Sequence, residues 1–140
     1  MSVSPAQFLA MGQDILSKQP FSVLIGAELT ALSPGQVQLE LPITEQLKQQ
    51  HGFAHGGVVS YLADNALTFA GGTAMQVPVV TSEFKINYVR PGVGERLIAR
   101  ATADAVSKTQ AVCRCEVFAV ANGEEKLCAL AQGTIVKLAD

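Results

Sequence analysis

Long runs of any one kind are missing from this chain. No apolar stretch approaches the ~18 residues of a membrane-spanning helix, and no run of basic residues marks a nucleic-acid footprint. Membrane and nucleic-acid partners are therefore not expected. Charge is scarce as well: 16% of the 140 residues are charged, and the net charge is −2. An anionic ligand would have to be held by a few local positive groups. The first twenty residues lack a basic leader segment, and Gln7, Gln13 and Asp14 interrupt their apolar residues. They do not read as a secretory signal. Only three cysteines occur, Cys113, Cys115 and Cys128. An odd number, two of them spaced to face one side of a strand, reads as reduced core thiols of a cytoplasmic protein. There is no HExxH zinc motif and no GxSxG nucleophile elbow. Both histidines, His51 and His55, lie in a glycine-rich stretch that argues against one helix carrying them to a metal. No metal or cofactor is expected.

What is present is apolar: 49% of residues are hydrophobic, which is high for so short a chain and points to surface buried by self-association. The length suits one domain over residues 1–140. Residues 4–18 read as a helix, with Ser4 as N-cap, Pro5 at the first position, and Phe8, Leu9, Met11, Ile15 and Leu16 at helical spacing. Residues 21–32 alternate as a strand and 36–41 as its hairpin partner across Ser33-Pro34-Gly35. Residues 56–70 are apolar around nearly the whole circumference, which marks a buried helix, and Gly71-Gly72 is expected to close it. Four strand-like runs follow, at 79–89, 97–106, 111–120 and 127–138. The order predicts an α+β fold, in which sequential hairpins form one antiparallel sheet curled around the central helix.

The chemistry concentrates at residues 51–70. Gly56 and Gly57 open the buried helix, where unpaired N–H groups and the helix dipole favour negative charge. Without a Cβ there, a carbonyl oxygen can approach the backbone, as an oxyanion site requires. The same glycines would also serve a tight turn or close packing. Ser60, Asp64 and Thr68 form one polar stripe down the helix. An unpaired carboxylate there is costly, so Asp64 either holds a neighbouring loop or acts as a general base. Gly56 and Asp64 are eight residues apart, ~12 Å along a helix. That is too far for both to address one carbonyl. If they act together they come from different copies, which predicts a twofold dimer with both sites in its interface. Tyr61, Phe69 and Met75 read as core residues, with the lining of an acyl pocket as the alternative.

The stretch HGFAHGGVVSYLADNA resembles the signature of hotdog-fold acyl-CoA thioesterases, in the branch named for the phenylacetate-pathway thioesterase. TSEFKINYVRPG and CALAQGTIVKL resemble the strands of that branch. The resemblance runs from about residue 20 to the end. It implies a sheet wrapped around a central buried helix, homodimers that pair into homotetramers, and hydrolysis of an acyl-CoA. Asp64 matches the catalytic acid, as general base or nucleophile. Gly56 matches the amide that polarises the thioester carbonyl, with Gly57 beside it. His55 matches the histidine supporting that turn. Gln49 falls in the slot of an amide donor that is Asn in many members. Thr81 matches a hydroxyl that orients water, with Ser82 adjacent and able to exchange with it through a bulge. Coenzyme A would lie at the surface near Lys85, Arg90, Arg96 or Lys108, each also readable as a solvated charge. A hotdog hydratase or dehydratase, which would need His55 as base, and a non-catalytic acyl-CoA binder are the alternatives.

Overall fold

The computed structural model describes residues 2–139. Helix α1 (Pro5–Ser17) starts as its sequence requires. Ser4 Oγ accepts the Gln7 N–H at 3.1 Å, and the Gln7 side chain accepts the Ser4 N–H at 2.9 Å, closing a capping box. A short helix α2 (Pro20–Ile25) follows, then strands β1 (Glu28–Ser33) and β2 (Gln36–Pro42), the long helix α3 (Gly56–Met75), and strands β3 (Val79–Tyr88), β4 (Arg96–Val106), β5 (Gln110–Ala121) and β6 (Glu124–Lys137).

All six strands join one antiparallel sheet in the order β1-β2-β4-β5-β6-β3. The inward faces of β2, β4, β5 and β6 close over α3, and Leu39, Leu41, Leu62, Leu67, Leu97 and Ile135 are fully buried between them. A 20-residue helix spans ~30 Å, so one element fills most of the concave face. Among the described residues no helix is long and apolar enough to cross a membrane.

Three details differ from the sequence reading. Residues 20–25 are helical rather than extended. Pro20 stands at the first helical position and Gly26 ends the turn in the left-handed conformation at φ 84°, the start and stop pair of a short helix. The alternation of Val23 and Ile25 misled because Val23 and Leu24 are exposed, while Ser22 is the buried residue. Second, Gly71-Gly72 does not end α3, which runs on to Met75 with Gln76 as a left-handed cap. A Cβ on Gly71 would lie 2.7 Å from Ile135 Cβ, so this glycine exists to let helix and sheet touch. Third, β3 and β4 are not a hairpin. β3 pairs with β6 at the sheet's edge, and the segment after Tyr88 crosses the start of α3 to reach β4, where Gly92 C=O accepts the Ala54 N–H at 2.9 Å.

The Gly71 contact gives a direct test. Gly71→Ala must push α3 off β6 and should lower stability by about 1–3 kcal/mol, read as a fall in the urea midpoint at unchanged m-value.

Candidate active site

The start of α3 is prepared by a small folded loop. Gln49 N–H donates to Phe53 C=O at 2.9 Å, His55 N–H to Leu47 C=O at 2.8 Å, and Gly52 N–H to Gln49 C=O at 3.0 Å. Gly52 takes the turn at φ 87°, where a side chain would be strained. The Gln49 side-chain oxygen accepts the His51 N–H. His55 is the N-cap of α3: its Nδ1 accepts the Gly57 N–H at 2.8 Å. Gly57 N–H is thereby engaged within the chain. Gly56 N–H meets no acceptor among the described residues.

Two turns further on, Asp64 Oδ1 accepts the Thr81 hydroxyl at 2.6 Å. Thr68 Oγ1 lies 3.1 Å from Thr81 Oγ1 and donates to Asp64 C=O at 2.8 Å. Thr81 reaches the helix because β3 carries a bulge between Thr81 and Glu83. The extra residue lets Thr81 and Phe84, three apart, both turn inward. The bulge therefore chooses between the two candidate hydroxyls: Ser82 is left exposed and is not brought to Asp64 within the chain. Asp64 is half-buried and opens onto a groove of about 500 Å³ walled by Gln19, Phe21 and Tyr61.

Gly56 opens onto a different cleft, of about 310 Å³, with Tyr88, Arg90 and Gly92 in its wall. Within one chain the amide and the carboxylate thus face separate spaces. Of the basic candidates, Arg90 lies in the Gly56 cleft and donates from Nη1 to Leu127 C=O at 3.2 Å. Lys85 faces the other side of the sheet, beside Arg114 and Gln132. Arg96 is paired with Glu40, which ties it to the sheet. Lys108 is exposed in the β4–β5 turn.

Two features escaped the sequence reading. Tyr88 donates its hydroxyl to Gly56 C=O at 3.1 Å, packing its ring against the glycine. The NYVRP stretch contained it, but nothing in its spacing pointed to the helix start. The second is a polar cluster one residue from Asp64. Ser22 Oγ donates to Gln19 Oε1 at 2.6 Å and lies 2.5 Å from Tyr61 Oη. Asn65 Nδ2 donates to Gln19 Oε1 at 3.0 Å and to Tyr61 Oη at 3.1 Å. Ser22 and Asn65 are 1% and 9% exposed, so the cluster pins α2 to α3 through bonds water cannot replace.

Residues 51–126 match the family model of the thioesterase superfamily. The chain belongs to that superfamily. This thioesterase is 34% identical to a thioesterase family protein from Silicibacter pomeroyi, with a TM-score of 0.89 over 98% of this chain and 100% of that one. A variant of the phenylacetic acid degradation protein PaaI from Thermus thermophilus is 36% identical, with a TM-score of 0.75 over 86% of this chain and 100% of that one. In sequence it is 28% identical over 110 residues to the acyl-coenzyme A thioesterase PaaI of Escherichia coli, covering 78% of this chain and 76% of that protein. The six antiparallel strands around one long helix are the hotdog fold of these structures. The chain is a thioester hydrolase of the PaaI-like kind.

The thioesterase's three cysteines are free and buried. Burial pushes their thiols up, to about 11 for Cys113 and Cys128 and about 12 for Cys115. The thiolate is the reactive form, so a raised pKa keeps these groups inert until pH approaches 11. Among the described residues no group of three or more His, Cys, Asp or Glu could hold a metal ion. At about pH 8 iodoacetamide should modify the folded chain roughly 100-fold more slowly than the urea-unfolded chain and leave hydrolysis intact. Loss of activity in step with alkylation of the native protein would assign a working thiol.

Proposed function

We propose that the protein hydrolyses an acyl-CoA to the free acid and coenzyme A, with Asp64 as general base and the Gly56 amide of a second copy as oxyanion donor. The observation that carries this reading is the division of labour on α3. A carboxylate is held by one oxygen to Thr81, and an unpaired helix-start amide lies eight residues away, ~12 Å along the axis. Two antiparallel α3 helices bring one copy's carboxylate to the other's amide. The outer edge of β3, ten residues with no strand beside it among the described residues, supports a twofold dimer.

The steps then follow from the bonds. Asp64 removes a proton from water as the oxygen attacks the thioester carbon. The carbonyl oxygen becomes an oxyanion, held by Gly56 N–H and by the side-chain amide of Gln49. Collapse breaks the carbon–sulfur bond, and coenzyme A leaves as a thiolate that takes up the proton. A thiolate departs without prior protonation, which suits a site with a single carboxylate. Thr81 holds one Asp64 oxygen and leaves the other for water. His55 stays an N-cap acceptor, a role opposed to the base a hydratase would need. Arg90, in the cleft at Gly56, is placed to meet coenzyme A phosphates. Lys85 would do so only in the assembled oligomer, and a tetramer of paired dimers would supply such a neighbour.

Asp64→Asn should lower kcat for thiol release by about 10²–10⁴-fold with the oligomer intact. Gly56→Pro removes only the amide hydrogen, since proline suits the first helical position and a Cβ there would lie 3.6 Å from the Tyr88 ring. Mixing the two inactive variants should restore about a quarter of wild-type activity through hybrid dimers. No recovery despite demonstrated subunit exchange contradicts the shared site, and full activity of Asp64→Asn contradicts the base.

A further inference from the structure

Helix α1 carries two apolar stripes, and the fold uses only one of them. Leu9, Gly12 and Leu16 form the first. It seats on β1 so closely that a Cβ on Gly12 would lie 2.4 Å from Leu32 and 2.6 Å from Leu29. Gln13 Nε2 adds a hydrogen bond to Leu29 C=O at 3.1 Å. The second stripe is Phe8, Met11 and Ile15, at the same helical spacing. It faces a cavity of about 870 Å³ between α1 and the second half of α3, with Phe69 and Val79 on the opposite wall. Met11 and Ile15 are each 55% exposed. A rigidly anchored helix that leaves long aliphatic side chains facing an open apolar space has an unfilled partner.

The cavity is joined to the reaction centre. Gln19 and Thr68 stand in its wall and also in the wall of the groove onto which Asp64 opens. Thr68 is bonded to Thr81 and to the Asp64 carbonyl, so this threshold lies within one side chain of the carboxylate. The carboxylate that delivers water sits at one end, and apolar wall leads away from it along α3 towards Gln76, eight residues or ~12 Å on from Thr68. Its volume falls in the upper part of the ~300–1,000 Å³ of small-molecule sites.

Resting on the thioesterase mechanism above, we infer that this cavity takes the acyl group and that the substrates are medium-chain aliphatic acyl thioesters. The chain threads past Gln19 and Thr68 and lies against Met11 and Ile15. Helix α1 thereby sets chain-length preference. The Gln19–Ser22–Tyr61–Asn65 cluster holds the threshold open, because its buried hydrogen bonds fix α2 against α3 while the apolar stripe of α1 stays uncovered.

The test is free-thiol release from acetyl-, hexanoyl-, decanoyl- and palmitoyl-CoA by the full-length protein, with equilibrium binding of decanoyl-CoA measured in parallel. The wild type should show its highest kcat/KM on hexanoyl- or decanoyl-CoA. Ile15→Trp fills the cavity from a side chain that supports no core contact. It should lower kcat/KM for decanoyl-CoA by at least about tenfold and change acetyl-CoA turnover by less than about twofold. Met11→Ser should raise KM for decanoyl-CoA and spare kcat. Equal losses on acetyl- and decanoyl-CoA, or no change on either, overturn the assignment. So does a change of oligomer mass in Ile15→Trp by light scattering, which would mean that a second copy fills the cavity. If no acyl-CoA is cleaved yet decanoyl-CoA binds and Ile15→Trp abolishes that binding, the pocket stands and the hydrolytic reading falls. Absence of such binding overturns the pocket itself.

Discussion

The contact on which the structure depends is the burial of α3 in the hollow of the sheet. Ala63, Ala66, Ala70 and Gly71 are small enough for the helix to touch β4, β5 and β6 directly, while Leu62 and Leu67 fill the spaces between. Close packing of this kind leaves little freedom to shift the helix along its axis. Its register against the sheet is fixed, and with it the height at which each polar residue emerges. Asp64 appears where the bulged edge strand delivers Thr81. Gly56 appears where the loop crossing from β3 to β4 ties down the preceding residues through Gly92.

That fixed geometry separates the amide from the carboxylate, and the proposed reaction depends on the separation. On the proposed mechanism neither end of α3 carries a complete site, and catalysis would require two copies to pair. A monomer would keep a carboxylate without an electrophile holder and would be idle. Both Gly56 and Asp64 stand on one rigid helix, so the proposed donor and base would move only as their helices move.

Much of this was legible in the sequence for a physical reason. An apolar helix without a solvent face is unmistakable, and alternation in β2 through β6 reports strands with one wet side. The ~12 Å separation of Gly56 from Asp64 needed only the rise of a helix. What could not be read were contacts set by tertiary fit. Gly71-Gly72 looked like a stop because its true role, contact with Ile135 and Val79, depends on residues that follow it in the chain. Residues 20–25 alternated like a strand because the exposed Val23 and Leu24 break the rule that apolar residues face inward. The choice between Thr81 and Ser82 turned on a single bulge. The Gln19 cluster joins residues 39 to 46 positions apart, and no local pattern announces such pairs.

The central claim is that one site uses residues of two copies, and the most direct measurement is a crystal structure with a non-cleavable ketone analogue of decanoyl-CoA. The account predicts the ketone oxygen about 2.7–3.1 Å from the Gly56 nitrogen of one copy, with Asp64 of the other copy bound through one water to the ketone carbon. A ketone held by Gly56 and Asp64 of the same chain, or lying away from both, would contradict it.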